Sequence, residues 1–429
     1  MKATIARSLA EARQRTLFLI EPLTDEDLLL QHDPLMSPIL WDIGHIAHFE
    51  ELWLTRNLNG KIEFSEMPGI YNPFENPRAV RGSLPLKPRA HMLGELDRIR
   101  DSVLARLESV EFDPSNPLLR DGYVYNMVLQ HEYQHNETIL QTLQLKKGSP
   151  YPAPRRVEFA ACTDDMSGML AFPESDVAIG TDDMAAAYDN ERPVHTVHVN
   201  AFQIDRAPVT NAAFLEFMRD GGYDRQNLWS EKGKQWLKDS GVNCPMYWED
   251  RKGVWHERMM DRVRPVDPTR PVCHVCYYEA EAFAKWADKR LPTEIEWEAA
   301  AGWSADSKSA GLFPWGNFAP IPERANVDQL AFDTAPVGTF ANSASPLGCI
   351  SMIGDVWEWT GSAYNAYPGY RPSSDALGEY NGKFMVNQLV LRGGSCVTPT
   401  DHIRPSYRNF FYPADRWQFS GIRLAEDRC

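Results

Sequence analysis

Residues 128–143, VLQHEYQHNETILQTL, decide how the first part of this chain folds. Apolar residues recur there at three- and four-residue spacing, the pattern of a helix that buries one face. His131 and His135 are four residues apart, so they stand on one face of that helix and can bind one metal ion. With Glu132 they also spell H-E-x-x-H, the signature of zinc metalloproteases. A protease needs a third ligand, and no H-x-x-G-x-x-H extension or second helix with a glutamate follows, which argues against peptide hydrolysis.

Three further segments, residues 5–20, 38–58 and 91–110, have the same helical pattern. Ser37 and Pro38 predict an N-cap followed by proline at the first position of the second helix. Four such helices within residues 1–150 predict a four-helix bundle, whose metal sites are built from side chains on facing helices. The second helix offers His45 or His48 as a third ligand, and spacing alone does not choose between them. Imidazole ligands suit zinc, copper, iron or nickel, so they do not name the metal.

The remainder of the chain has a different pattern. Residues 146–156, KKGSPYPAPRR, interrupt the helices with glycine and proline and are typical of a linker. Beyond them, short apolar runs alternate with turns rich in Gly, Pro and Asn, and clear helical patterns occur at residues 210–222 and 277–290. Residues 151–429 therefore predict a second domain of the α+β class with many loops.

Composition narrows the classes of function. Hydrophobic residues make up 43% of the 429 residues, and the formal net charge of −15 argues against nucleic acid as a partner. No apolar run is long enough to span a bilayer, and the amino-terminal residues do not resemble a signal peptide, so no membrane partner is expected. Seven scattered cysteines favour free thiols in a reducing, cytoplasmic compartment, which also suits an oxidisable metal such as Fe(II).

Three segments carry a family resemblance. Residues 37–53 (SPILWDIGHIAHFEELW), 131–145 (HEYQHNETILQTLQL) and 391–425 (LRGGSCVTPTDHIRPSYRNFFYPADRWQFSGIRLA) resemble the EgtB-type sulfoxide synthases of ergothioneine biosynthesis, over nearly the whole chain. The resemblance implies a DinB-like four-helix bundle followed by a domain of the formylglycine-generating-enzyme type, which is C-type-lectin-like. It also implies a non-haem Fe(II) held by His45, His131 and His135. The implied reaction uses O2 to join a thiol to C2 of the imidazole of N-alpha-trimethylhistidine (hercynine), giving a sulfoxide.

The resemblance assigns substrate-binding roles as well. Gln134 occupies the place where the family hydrogen-bonds the substrate imidazole. Arg78 and Arg81 lie in the loop between the second and third helices, where guanidinium groups would hold the carboxylates of a thiol substrate. Asn409 and Phe410 are expected to hold the trimethylammonium group, which an aromatic face attracts.

Two features of the second domain leave alternatives open. Phe411 stands where one branch of the family has an aspartate that binds the amine of gamma-glutamylcysteine, so it disfavours that donor, whereas the pair of Arg78 and Arg81 favours it. Cysteine, gamma-glutamylcysteine and, in a selenoneine-type synthase, a selenosugar stay open as donors. Tyr370 is favoured as the proton-donating tyrosine, with Tyr71 and Tyr380 as alternatives. A non-catalytic betaine-binding protein is the alternative from another class of function.

Overall fold

The structure, a computed structural model, describes residues 1–56, 58, 67, 69–155, 157–160, 162, 165–304, 309–371 and 385–428. The chain divides into two compact units. The first unit comprises Met1–Pro152 and Asp183–Ala186, and the second comprises Ala153–Asp182 and Ala187–Cys429. Among the described helices, none combines the length and apolar character needed to cross a membrane.

The first unit is helical. Its elements are α1 (Lys2–Ile20), α2 (Asp25–Leu29), α3 (Ile39–Glu51), α4 (Arg89–Ser109) and α5 (Tyr123–Gln144), with a π-helical turn at Leu52–Arg56 after α3. The four long helices confirm the predicted bundle, in which α1 and α3 both pack against α5 and α3 also packs against α4. The short α2, which begins at the capping residue Thr24, was not predicted.

The predicted start of α3 was wrong by one position. Pro38 is the N-cap itself, with extended backbone, and Ser37 makes no capping hydrogen bond. The Ser37 hydroxyl instead accepts a hydrogen bond of 2.8 Å from Arg81. The hydroxyl oxygen that was predicted to cap α3 is therefore bonded to Arg81, a residue distant in sequence.

A buried cluster of four charged residues ties the four long helices together. Arg13 of α1 contacts Glu50 of α3 at 2.7 Å and Glu132 of α5 at 2.9 Å, and Arg100 of α4 contacts the same two carboxylates at 2.6 and 2.9 Å. Each of these side chains is almost fully shielded from solvent. Every charge has two partners of opposite sign, and these attractions offset the free-energy cost of removing the charges from water. Because the four residues come from four helices, the contacts also restrict how each helix is rotated about its axis.

The second unit is mixed, in agreement with the predicted α+β class. Its helices are α6 (Asn211–Arg219), α7 (Glu231–Ser240), α8 (Tyr277–Trp286) and α9 (Glu294–Gly302). Helices α6 and α8 were predicted, whereas α7 and α9 were not. Its strands are β1 (Met169–Phe172), β2 (Ser175–Ile179), β3 (His195–Val199), β4 (Phe202–Asp205), β5 (Trp248–Arg251), β6 (Val254–Met259), β7 (Arg262–Pro265), β8 (Trp303–Ser304), β9 (Ser309–Ala310), β10 (Trp357–Ala363), β11 (Leu389–Arg392), β12 (Asn409–Phe411), β13 (Ser420–Gly421) and β14 (Ala425–Asp427).

These strands form small sheets rather than one large one. The described strands pair in the orders β1-β4-β14, β12-β11-β10-β13, β2-β3, β5-β6-β7 and β8-β9. The four-stranded sheet carries Asn409–Phe411 on its edge, antiparallel to β11. Trp357 and Trp359 of β10 are completely buried beneath this sheet, and Arg423 pairs with Glu358 at 2.8 Å in the same interior. The segment predicted to bind the betaine is therefore an edge strand of this sheet.

Candidate metal centre

Three histidines of the first unit converge on one point. His45 is on α3, and His131 and His135 are on α5, one helical turn apart. One ring nitrogen from each lies within 4.8 Å of the others, and the Nε2 atoms of His45 and His131 are 3.2 Å apart. Two imidazole nitrogens that each lie about 2.0–2.1 Å from a shared ion are about 3 Å apart, so the observed spacing suits joint ligation.

The His45 ring is held by two neighbours, the Tyr71 carbonyl oxygen and the Trp41 ring. Its Nδ1 lies 2.9 Å from the carbonyl oxygen of Tyr71, to which it can donate only when it carries the proton. That arrangement leaves the lone pair on Nε2, the atom that faces His131. The ring also stacks on Trp41, with centroids 5.0 Å apart. The absence of a side chain at Gly44 allows Tyr71 to lie this close to α3, because an added Cβ would come within 2.1 Å of the Tyr71 ring.

Burial keeps two of the three histidines uncharged, which allows them to bind a cation. His131 is 4% exposed, and its ring stacks on Phe49 at 3.7 Å with the planes 10° apart. Burial is the main cause that holds the pKa values of His45 and His131 well below their usual range, and the neighbouring histidines lower them further. Both imidazoles are therefore neutral at pH 7 and offer lone pairs. A cluster of neutral, buried nitrogens that face one another fits a transition-metal ion.

Glu132, the glutamate of the H-E-x-x-H letters, does not take part in this cluster. It points into the interior of the bundle, where its two oxygens accept from Arg13, Arg100 and Thr16 at 2.9, 2.9 and 2.8 Å. A metalloprotease needs that carboxylate beside a metal-bound water. The geometry of Glu132 therefore supports the sequence-based argument against peptide hydrolysis.

Sequence reasoning left His45 and His48 open before the resemblance was applied, and it overlooked two other groups. The converging group contains His45 and not His48. Tyr71 was considered for its hydroxyl, yet the group that touches the site is its carbonyl oxygen; the hydroxyl donates to Met92 Sδ at 3.1 Å. Asp42, one turn before His45, is buried with Oδ1 3.5 Å from His135 Nδ1. The i, i+3 spacing of Asp42 and His45 was the available signal.

The two arginines predicted to bind carboxylates differ sharply. Arg81 is 7% exposed, lies 3.6 Å above the Trp41 ring, and donates to Ser37 Oγ and to the Asn76 carbonyl at 2.8 and 2.9 Å. Burial lowers the pKa of Arg81 to about 10, with Asp42 opposing the shift, so the group remains charged at pH 7. Arg78 is exposed and donates to the Leu35 carbonyl at 3.0 Å. Much of the Arg81 guanidinium is thus already bonded within the protein.

Gln134 lies on α5 immediately before His135 and is half-buried. Its backbone carbonyl accepts a hydrogen bond of 3.0 Å from the Thr138 hydroxyl one turn later. Gln134 therefore lies on the turn of α5 that separates His131 from His135.

The remaining predicted site residues belong to the second unit. On β12, Phe410 stacks face to face on Tyr364 with centroids 4.1 Å apart, and Phe411 meets the Trp417 ring edge to face at 5.1 Å. The Asn409 side-chain oxygen accepts a hydrogen bond of 2.9 Å from the Phe410 amide. These aromatic side chains each have one face or edge covered by protein.

Tyr370, the favoured proton donor, has a defined partner. Its hydroxyl donates a hydrogen bond of 2.9 Å to Asp189 Oδ2. Burial raises the pKa of Tyr370 above its usual value, and the negative charge of Asp189 raises it further, so the phenol keeps its proton at neutral pH. The alternative Tyr380 lies outside the described residues.

Comparison with known proteins matches both units. A family model for the DinB superfamily matches residues 8–139, and one for the sulfatase-modifying factor enzyme 1-like domain matches residues 156–428. These matches confirm the predicted fold class. The hercynine oxygenase of Mycolicibacterium thermoresistibile is 39% identical, over 99% of this chain and 95% of that protein. The hercynine oxygenase of Mycobacterium tuberculosis is also 39% identical, over 99% and 98%. A formylglycine-generating enzyme of Bos taurus is 30% identical, over 53% of this chain and 65% of that protein.

Proposed function

This chain belongs to the hercynine oxygenase family of oxidoreductases, and we propose that it is a non-haem Fe(II), O2-dependent sulfoxide synthase that acts on hercynine. The reaction joins the sulfur of a thiol to C2 of the hercynine imidazole. One oxygen atom of O2 stays on the sulfur, and the other leaves as water with the hydrogens of the thiol and of C2. The product is a sulfoxide on the route to ergothioneine.

The observation that carries this proposal is the convergence of His45, His131 and His135 within 4.8 Å. Three imidazole ligands would hold the ion without cancelling its charge and would leave coordination positions for substrates. Bound iron supplies the one-electron chemistry by which O2 reacts with a thiol. The protein contributes the position of each reactant, since holding two reactants in place replaces an improbable encounter in solution.

We assign hercynine to Gln134, Asn409 and Phe410. The amide of Gln134 would hydrogen-bond the substrate imidazole, which needs one donor or acceptor beside the metal ligands. Asn409 and the aromatic face of Phe410 would hold the trimethylammonium group, for which cation–π attraction contributes about 0.5–2 kcal/mol. The antiparallel pairing of β12 with β11 supports this role because it holds the backbone of both residues in a sheet.

We place free cysteine ahead of gamma-glutamylcysteine as the sulfur donor. Gamma-glutamylcysteine carries two carboxylates and an ammonium group, whereas Arg81 already donates to Ser37 and Asn76, which leaves Arg78 as the more exposed guanidinium. Phe411 offers no acceptor for the ammonium group, and a buried ammonium without an acceptor is costly. A selenosugar donor would make the enzyme a selenoneine-type synthase.

We assign proton delivery to Tyr370. Its hydroxyl donates a hydrogen bond to Asp189, and its raised pKa means that the phenol carries its proton at neutral pH. A general acid of this kind contributes about 10²–10⁴-fold to the rate of a step in which a proton is transferred. We also place the enzyme in the cytoplasm, in keeping with the thiol state of Cys162, Cys244, Cys273, Cys276 and Cys349.

Metal analysis and a donor panel test the proposal together. The protein is loaded anaerobically with Fe(II) and then exposed to air with hercynine and cysteine, gamma-glutamylcysteine or a selenosugar, with mass spectrometry of the products. We expect stoichiometric iron and a sulfoxide that forms fastest with cysteine. His131→Ala should lose both iron and turnover, whereas His48→Gln on the neighbouring helix should keep both. Full activity of His131→Ala would refute the metal assignment, and hercynine binding without turnover of any donor would favour a betaine-binding protein.

A further inference from the structure

Asp42 is a buried carboxylate that the chemistry described above does not use. It is 1% exposed and lies on α3, one turn before His45. Its Oδ2 atom has no hydrogen-bond partner among the described residues. An ionised carboxylate that is buried without full hydrogen bonding costs free energy, so native proteins seldom keep one without a use.

The nearest candidate partner of Asp42 is also unsatisfied. His135 Nδ1 is buried, has no hydrogen-bond partner among the residues that the structure describes, and lies 3.5 Å from Asp42 Oδ1. That distance is slightly longer than the usual range of about 2.7–3.2 Å for N–H···O hydrogen bonds. A small rotation of either side chain closes it. The unpaired Nδ1 of His135 therefore faces Oδ1 of a carboxylate whose other oxygen, Oδ2, is also without a partner among the described residues.

The neighbouring ligand His45 indicates what such a contact does. Its Nδ1 is paired with the Tyr71 carbonyl at 2.9 Å, which directs its Nε2 toward the cluster. Metal-bound histidines usually donate their second N–H to a carbonyl or a carboxylate, and the partner fixes the tautomer and the ring orientation. His135 has a carboxylate in the corresponding place.

We propose that Asp42 is a positioning residue for the metal centre, accepting the Nδ1–H of His135 and so directing His135 Nε2 to the ion. The inference rests on the metal binding in the proposed function and not on the identity of its substrates. The buried Arg81 also interacts electrostatically with Asp42. Asp42 thus interacts with Arg81 and also lies beside His135, which is the least buried of the three histidines.

Metal affinity in the absence of substrates tests the proposal. Asp42→Leu, Asp42→Asn and the control Asp101→Leu, an exposed carboxylate on α4, are titrated anaerobically with Fe(II) against a competing chelator. We expect Asp42→Leu to weaken binding by about 10–100-fold. Asp42→Asn should lose less than about tenfold, since its amide oxygen still accepts, and Asp101→Leu should bind as the unaltered chain does.

The apo protein separates positioning from a merely structural role. Removal of an unsatisfied buried carboxylate should leave the thermal unfolding temperature of apo Asp42→Leu unchanged or raised. Unchanged Fe(II) affinity in this variant, or a loss of apo stability with affinity retained, would overturn the proposal. Weakened affinity in a protein that turns over no donor would leave it standing while the proposed function fails.

A spectroscopic measurement keeps the test decisive if Asp42→Leu does not fold. In the Co(II)-loaded protein, ring N–H protons of the ligand histidines give hyperfine-shifted proton resonances that disappear in D2O. We expect the resonance of His135 to move in Asp42→Asn while that of His45, which is bonded to the Tyr71 carbonyl, stays in place. Identical N–H resonances in Asp42→Asn and the unaltered chain would exclude a hydrogen bond between Asp42 and His135.

Discussion

Replacement of Glu132 by glutamine separates the two roles that the H-E-x-x-H letters allow. In a zinc protease this glutamate is the general base, and its loss abolishes turnover without unfolding the protein. In this chain it accepts from Arg13, Arg100 and Thr16 inside the bundle. Glutamine has the same shape, but its amide nitrogen is a donor and would face a guanidinium group. We therefore expect a loss of stability and no direct loss of chemistry.

The size of the effect follows from burial. Breaking a buried ion pair by removing one partner costs about 3–5 kcal/mol. For a unit of about 150 residues, each kcal/mol moves the unfolding temperature by about 2–4 °C, so Glu132→Gln should unfold roughly 6–20 °C earlier. Glu50→Gln should show a similar change, because Glu50 bridges the same two arginines.

Circular dichroism at 222 nm follows the helical unit on heating, and iron content and turnover are measured well below the transition. Glu11→Gln, an exposed glutamate on α1, is the matched control and should shift the transition by less than about 2 °C. We expect the folded Glu132→Gln protein to bind iron stoichiometrically and to turn over at nearly the unaltered rate. An unchanged transition with lost turnover would refute the reasoning and return Glu132 to a catalytic role.

Three further predictions concern the second unit. Tyr370→Phe should lower kcat by about 10²–10⁴-fold with little change in KM for hercynine. Tyr71→Phe, the control, should retain most activity. Equal effects of the two substitutions in steady-state assays would contradict the assignment of the proton donor. Phe411→Asp should raise kcat/KM for gamma-glutamylcysteine relative to cysteine by about 10–100-fold, as one hydrogen bond to a charged group contributes about 1.5–3 kcal/mol, and Phe411→Leu should not. Burial lowers the pKa of His274 to about 3, so the neutral ring stabilises the fold above its unfolded pKa of about 6.5 and loses this contribution as the pH falls. The stability deficit of His274→Phe in urea unfolding should therefore shrink by about 1.4 kcal/mol for each pH unit between about pH 6 and pH 4, and a constant deficit would show that His274 titrates normally.

Periodicity predicted the long helices because each buries one face. Helix α5, with apolar residues at helical spacing on both sides of the histidines, was found by that rule, and so were α6 and α8. Helix α7 was missed because much of its surface is polar and exposed, and α9 because the consecutive residues Ala299, Ala300 and Ala301 are all buried, which gives no one-sided apolar pattern. The start of α3 was wrong because Ser37 bonds to Arg81, which is distant in sequence.

The sequence predicted which face of α5 carries the histidines, but it did not predict which residues of other segments surround them. Spacing places His131 and His135 on one face, since four residues make about one turn. It cannot distinguish His45 from His48, because that choice depends on how α3 is rotated against α5. The rotation is set by contacts between distant residues, such as the Tyr71 ring against Gly44. Asp42 and the carbonyl of Tyr71 were overlooked for the same reason.

Glu132 explains why this motif can serve a different chemistry from that of the proteases. Successive residues on a helix are about 100° apart, so the glutamate next to His131 must leave the face that the two histidines share. Whether it still reaches a metal-bound water depends on what lies on that adjacent face. Here the adjacent face is the centre of the bundle, where Arg13 and Arg100 hold the carboxylate in place. The pair of histidines therefore keeps its ability to bind a metal, while the base that hydrolysis requires is removed from the site.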